Sequence, residues 1–347
     1  MSPSDHAPLK FHWPDVPEPG EAVEIADGVL WMAMPLDSPL KWINVVALDD
    51  GDSWTLVDTG THTKRSVGYW ELNLSGPLKG KPVSRVISTH HHPDHVGMVG
   101  WFMQKHGAEH WASRTCYLLS RMLVLDVEDR PTEAAIRYWT RAGMPAERLA
   151  QRMQERPYNF SDVVHYIPTG HIRIQQGEII RAGGRDWDIH MGNGHAAEHV
   201  TMWSRDDNLV IAGDQILPTI SPNIGVQPAE PEADPLAEWL EACERLKPLA
   251  REDHVVIGGH KLPFTGLPRR MTDLIANHHT GLNRLMDHIS EPKTAVQCFS
   301  PLFKREIVDS IYGLAMVEAY AHLQHLYKIG RASRTLNDDG AYLWQAI

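Results

Sequence analysis

Thr89-His90-His91-His92-Pro93-Asp94-His95 packs four histidines and a carboxylate into six residues, and the reading of the chain turns on it. It closes an apolar run over residues 83–88 that reads as a β-strand. In extended backbone, residues i and i+2 project the same way, so His90 and His92 can converge on one ion while His91 faces away. Pro93 turns the chain, after which Asp94 and His95 can serve a second ion beside the first. The bland alternative is a solvated polar loop, and so dense a cluster makes it the weaker reading.

Three later residues share one syntax: an apolar strand, a glycine, then a ligand-type side chain. His195 follows Gly192-Asn193-Gly194, Asp214 follows the run 209–213, and His260 follows 255–259. Each alone is unremarkable, whereas three in order after the histidine cluster point to a shared metal centre. His195-Ala196-Ala197-Glu198-His199 imitates the helical zinc pair of an HxxEH string. The glycines before it and the β-type run after it read instead as turn and strand. That leaves His195 as the ligand and gives His199 a supporting role. Imidazole and carboxylate donors without thiolate suit zinc, with iron or manganese as alternatives.

The rest of the chain sets the context. Its 347 residues are 42% hydrophobic with a formal charge of -11, which fits a globular protein and disfavours broad binding to nucleic acid or anionic membrane. Three widely spaced cysteines (Cys116, Cys243, Cys298) make no disulfide framework, and no apolar run is long enough for a membrane span. With no secretory signal pattern at its start, the expected location is the cytoplasm.

Residues 1–21, proline-rich, read as an arm. Short apolar runs at 29–34, 43–48 and 54–57 give residues 22–89 a β character. Residues 113–165 read as a helical insertion or lid, with Ser113 as a cap and helices opening near Pro131 and Pro145. Strand-like text returns at 172–174, 186–190, 200–204, 209–213 and 255–258. Helices follow over 234–249, with Asp234 as N-cap, and over 268–289. Residues 291–347 order as helix, longer helix and an Asp339-Gly340 hairpin, which suggests a small winged-helix-like unit.

THHHPDH, GNGHAAEH, AGDQ and GGH, in this order, resemble the metallo-β-lactamase superfamily over residues 22–290. The resemblance implies an α+β fold, a four-layer αββα sandwich with the site at one edge of two sheets. It also implies two divalent ions, one held by His90, His92 and His195 and the other by Asp94, His95 and His260, bridged by Asp214. Asp58, in Leu56-Val57-Asp58-Thr59-Gly60, matches the family's first motif and would anchor a ligand histidine. The whole-chain arrangement is similar to the β-lactamase-like protein 2 group, which carries a C-terminal winged helix.

Two cations close together can share one hydroxide that attacks a substrate polarised by the same ions, with Asp94 and Asp214 as the carboxylates of the reaction. The expected activity is hydrolysis of a carbonyl ester, thioester or lactone in a small or medium substrate. The rival is a phosphodiesterase or ribonuclease, and a third reading is a winged-helix regulator with a vestigial site. Residues 291–347 hold six basic side chains (Lys293, Lys304, Arg305, Lys328, Arg331, Arg334) against six acidic ones, which disfavours nucleic acid as a partner. Family lactonases often carry tyrosine where this chain has Leu217. Trp42, Tyr117, Trp139, Leu217 and Asn223 are the candidate substrate contacts, and the C-terminal unit is expected to wall the cleft or to form a homodimer contact.

Overall fold

The protein is described here by a computed structural model covering residues 6–347; the first five residues of the expected arm lie outside the described residues. Contacts divide the chain into two units. The first comprises residues up to Val127, Asn159–Pro222 and Leu246–Met271. The second comprises Glu128–Tyr158, Asn223–Arg245 and Thr272–Ile347.

The first unit holds two sheets. A seven-stranded one runs in sequence order: β1 (Val23–Ala26), β2 (Val29–Pro35), β3 (Trp42–Asp49), β4 (Trp54–Val57), β5 (Val83–Ile87), β6 (Glu109–Ala112) and β7 (Ile172–Arg173). The first four strands are antiparallel, and β4 to β7 are parallel. The second sheet has the order β12-β11-β10-β9-β8. It comprises β8 (Ile179–Ala182), β9 (Arg185–Gly192), β10 (His199–Ser204), β11 (Leu209–Gly213) and β12 (Val255–Gly258), with only β11 and β12 parallel.

Strand alternation makes both faces of the first sheet apolar. Ile43, Val45 and Ala47 of β3 join Trp70, Val99 and Phe102 in one buried cluster. Val46 and Leu48 join Ile180, Trp187, Ile189 and Ile211 of the second sheet in another. Each such side chain contributes roughly 1.5–3 kcal/mol on full burial. The sheets therefore pack face to face with helices on the far side of the first, in line with the expected sandwich. The helices include two that the β-like text of 22–89 and the stretch after the histidine cluster did not announce: Lys64–Ser75 and Val99–His106. The first is capped by Thr63, whose hydroxyl accepts the Ser66 amide at 3.1 Å, and docks through Trp70, which donates to the Thr59 carbonyl.

The expected helix after Ser113 is Arg114–Leu125, capped by that serine, and it belongs to the first unit. Its successors Glu133–Arg141 and Ala146–Arg152 belong to the second. The second unit also contains helix Asp309–Lys328 and the hairpin β13 (Ala332–Leu336) and β14 (Tyr342–Ala346), so the helix-then-hairpin order is present. No described helix is long and apolar enough to cross a membrane.

Candidate metal centre

Parallel strands deliver their following residues to one edge. In the first sheet β4 leads into Asp58 and β5 into His90. In the second, β11 leads into Asp214 and β12 into His260, while the turn from β9 to β10 carries His195. The carboxyl ends of strands are where an α/β protein has free backbone and side chains to offer. Residues far apart in sequence meet there because strand register, once fixed by two apolar faces, leaves them no alternative position.

Three groups of side chains could hold a metal ion: His90, His92 and His195; His90, His95 and Asp214; and Asp94, His95 and His260. Within each group the ligand atoms lie within 4.8 Å of one another. His90 Nε2 is 3.0 Å from His92 Nδ1 and 3.2 Å from His195 Nε2. Asp214 Oδ2 lies 3.5 Å from His195 Nε2 and 3.3 Å from His260 Nε2. Asp94 Oδ2 is also 3.3 Å from His260 Nε2. His95 Nε2 and Asp214 Oδ1, 3.6 Å apart, are buried with no hydrogen-bond partner among the described residues. Such orphaned atoms are costly unless something binds them, and facing lone pairs are what a cation satisfies. The donor set thus fits divalent metal.

The outer nitrogens of these histidines are tied down, which aims the inner ones. Asp58 accepts from the Thr89 amide (2.8 Å), the Thr89 hydroxyl (2.7 Å) and His95 Nδ1 (2.7 Å), leaving His95 Nε2 toward the centre. Thr89 Oγ1 lies 3.1 Å from His90 Nδ1 and, with its proton committed to Asp58, accepts from it. His260 Nδ1 donates to the Trp42 carbonyl. Asp58 does this from a left-handed backbone, φ 60°, a conformation that side-chain-bearing residues rarely adopt outside functional turns. Glycine is required close by: a Cβ on Gly259 would sit 2.2 Å from Asp214 Oδ1.

Charge is arranged in two halves. Burial, with help from His95, holds His90 well below the ordinary imidazole range; burial and then His195 do the same for His92, so both offer bare lone pairs. In His95 burial also opposes charge, but Asp58, Asp214 and Asp94 outweigh it and lift the ring well above that range. His260 is lifted to about 10 by Asp214 and Asp94 against the same burial. Asp214 is buried, which alone would raise it, yet His260 and His95 hold it well below the carboxylate range. On both rings the pull toward positive charge comes from carboxylates, with Asp214 and Asp94 acting on each.

His199 opens β10, and residues before it form a turn, so the helical HxxEH reading does not apply. Its Nε2 accepts the Asp214 amide at 3.0 Å, and its ring stacks on His90. His91 stands outside the three groups. Of the candidate substrate contacts, Trp42 meets the cluster through its carbonyl, 3.1 Å from His260 Nδ1. Tyr117 is a core residue stacked on His171 whose hydroxyl accepts the Gly170 amide. Leu217 is buried, and Trp139 and Asn223 belong to the second unit.

One organising residue escaped the sequence reading. Asn44, buried in β3, accepts from Trp31 and Trp42 indole N–H groups and donates to the carbonyls of Gly258 (2.8 Å) and Lys261 (2.6 Å). It clamps the turn that presents His260. A lone amide inside the apolar run 43–48 was the available signal.

Comparison with known proteins agrees with this geometry. Residues 43–260 match the family described as Metallo-beta-lactamase superfamily, and residues 282–347 match one described as Metallo-beta-lactamase-like, C-terminal domain. The chain is 24% identical over 290 residues to the Bacillus subtilis (strain 168) protein named "Probable metallo-hydrolase YqjP", covering 81% of this chain and 87% of that one. Among solved structures it is similar to a beta-lactamase domain protein from Burkholderia ambifaria, at 30% identity and TM-score 0.87, covering 98% of this chain and 97% of that one. A metallo-beta-lactamase family protein from Thermus thermophilus gives 27% identity and TM-score 0.78, covering 93% and 100%. The chain belongs to the metallo-β-lactamase superfamily and is a metallo-hydrolase of that fold.

Proposed function

We infer that the protein is a dinuclear hydrolase acting on a carbonyl ester, thioester or lactone of a small or medium substrate. The observation that carries this is the convergence of seven imidazole and carboxylate side chains from separate strand ends, with two buried ligand atoms left unbonded. In the assignment this grouping supports, His90, His92 and His195 would hold one ion and Asp94, His95 and His260 the other, with Asp214 available to both. Two such ions, zinc first and iron or manganese next, would lower the pKa of water toward neutrality and polarise the acyl oxygen.

The chain's own residues do the rest. Asp58 and Thr89 hold His95 and His90 in one tautomer, and His199 fixes the backbone of Asp214. Asp94 is the more accessible of the two central carboxylates, with its side chain 19% exposed against 8% for Asp214. It is the group that can orient a water molecule for attack on the acyl carbon and pass the proton to the departing oxygen or sulfur. The charge of -11 and the evenly balanced C-terminal segment support a carbonyl substrate over a polyanionic one. The order helix, helix, hairpin in that segment supports its reading as a winged-helix-like unit and the likeness to the β-lactamase-like protein 2 group.

The test is a hydrolysis panel on metal-loaded protein, with metal content assayed in parallel: thioesters, lactones, aryl esters, β-lactams, bis-4-nitrophenyl phosphate and short RNA. Turnover of carbonyl esters with silent phosphodiesters is the expected result. Cleavage of RNA or the phosphodiester alone would overturn it in favour of a nuclease.

A further inference from the structure

Lys261 directly follows His260 and has three unusual properties. Its backbone is left-handed, φ 70°, which a lysine adopts only when the surroundings impose it. Its carbonyl is locked by Asn44 Nδ2 at 2.6 Å, so the strained turn is held from outside rather than by the lysine itself. Its ammonium, half-buried, pairs with no carboxylate among the described residues and instead lies over the Trp42 ring, 5.8 Å from the centroid. In a chain with 44 acidic and 33 basic residues, a cation without a counter-ion runs against the general trend.

Trp42 ties this cation to the metal centre. Its carbonyl accepts from His260 Nδ1, and its indole N–H donates to Asn44 Oδ1 at 3.1 Å. The ring is therefore fixed relative to a candidate ligand histidine, and the ammonium lies against that ring. An aromatic face contributes roughly 0.5–2 kcal/mol to holding a cation in place while leaving its N–H donors free. A charge positioned but not neutralised is suited to an anion supplied by a ligand.

We propose that Lys261, positioned by Trp42 and Asn44, is a substrate-recognition residue for a carboxylate carried on the acyl part of the substrate. This rests on the acyl-hydrolase reading above for its catalytic meaning, though the anion site itself does not. Substrates would then be monoesters, thioesters or lactones of dicarboxylic or otherwise anionic acids, with the carboxylate on the ammonium and the acyl carbon at the metal centre.

The test compares mono(4-nitrophenyl) glutarate with 4-nitrophenyl pentanoate, which differ mainly in the terminal carboxylate, on metal-loaded wild type, Lys261→Gln and Lys261→Gly. The glycine variant suits the left-handed backbone, so it removes the cation without added strain. The readout is the ratio of kcat/KM for the two esters. Wild type should favour the glutarate ester, and both variants should lower that ratio by about 10- to 100-fold, the range of a charge-assisted hydrogen bond. A wild type without preference, or variants that keep it, would overturn the proposal. If wild type hydrolyses neither ester, the acyl-hydrolase reading fails separately, and calorimetric binding of glutarate decides the anion site. Affinity at least tenfold weaker in both variants supports it, and equal affinity overturns it.

Discussion

Among the described residues, one buried histidine cluster lies in each unit, and the groups that could hold a metal ion fall in the first alone. In the second unit His278 Nδ1 lies 3.2 Å from His322 Nε2, and His322 Nδ1 donates to the Glu318 carbonyl. His325 donates to Asp234, the residue that also caps helix Pro235–Leu246 by accepting the Ala237 amide. These rings come from helices Leu267–His288 and Asp309–Lys328; His278 and His322 are linked in a line while His325 pairs separately with Asp234, and Trp239 packs on His278. In the first unit, rings from separate strand ends point at a common centre and alternate with carboxylates. Histidine density alone therefore decides little; convergence with Asp94 and Asp214 does. Burial acts alike on the two clusters, pushing His322 to about 4 and His278 well below its ordinary range. Among the described residues no carboxylate reverses that effect for these two rings, as Asp214 and Asp94 do for His260.

Removing the shared carboxylate should separate the clusters most sharply. Asp214→Ala is expected to cost on the order of 10³-fold in turnover, several kcal/mol of lost charge stabilisation, with metal content falling below two per chain. Near-normal turnover with two metals retained would remove the bridging assignment.

Acid should expose the neutral cluster. His322 has a folded pKa lowered from 6.5 to about 4, so between those values the unfolded chain binds more protons than the folded one. Its contribution is full above pH 6.5 and is lost as pH falls toward 4, on the order of 3 kcal/mol at the limit. Urea unfolding of wild type and His322→Leu at pH 7 and pH 4.5 measures it: the variant should lose less stability on acidification. An identical loss in the two proteins would mean that His322 is not held neutral.

The supporting shell should matter less than the bridge. Asp58→Ala frees His95 Nδ1 and the Thr89 hydroxyl, and a 10- to 100-fold loss of metal affinity is expected by chelator competition. Affinity matching wild type would demote Asp58 to a backbone anchor. The smallest effect is that of His322→Leu at neutral pH. It leaves the buried His278 Nδ1 without its partner and should cost about 1–3 kcal/mol while metal content and turnover stay the same. A drop in metal content would show that the two clusters are not independent.

Much of the site was legible because its signals are local. The dense cluster at His90–His95 fills six positions, and an apolar run, a glycine and a ligand-type residue mark His195, Asp214 and His260, each of which falls in one of the three convergent groups. Helix Lys64–Ser75 was hidden among β-type text because its core-facing side, Val67, Tyr69, Trp70 and Leu74, is short and only Trp70 of it is fully buried. Asn44 left only a lone amide in an apolar run as its signal and Lys261 left none, because their importance lies in partners more than 200 positions away, across the two sheets for Asn44 and back to Trp42 for Lys261.

The sequence by itself determined the candidate ligand types, their order, the metal chemistry such donors suit and the alternation that buries both faces of the first sheet. Tertiary structure alone decided in which direction burial and neighbouring carboxylates push each histidine, which nitrogen each offers, and that segments 128–158, 223–245 and 272–347 gather into one unit. The physical reason is range. Strand and turn preferences act over a few residues, whereas desolvation and Coulomb interactions depend on what the finished fold brings within a few ångströms.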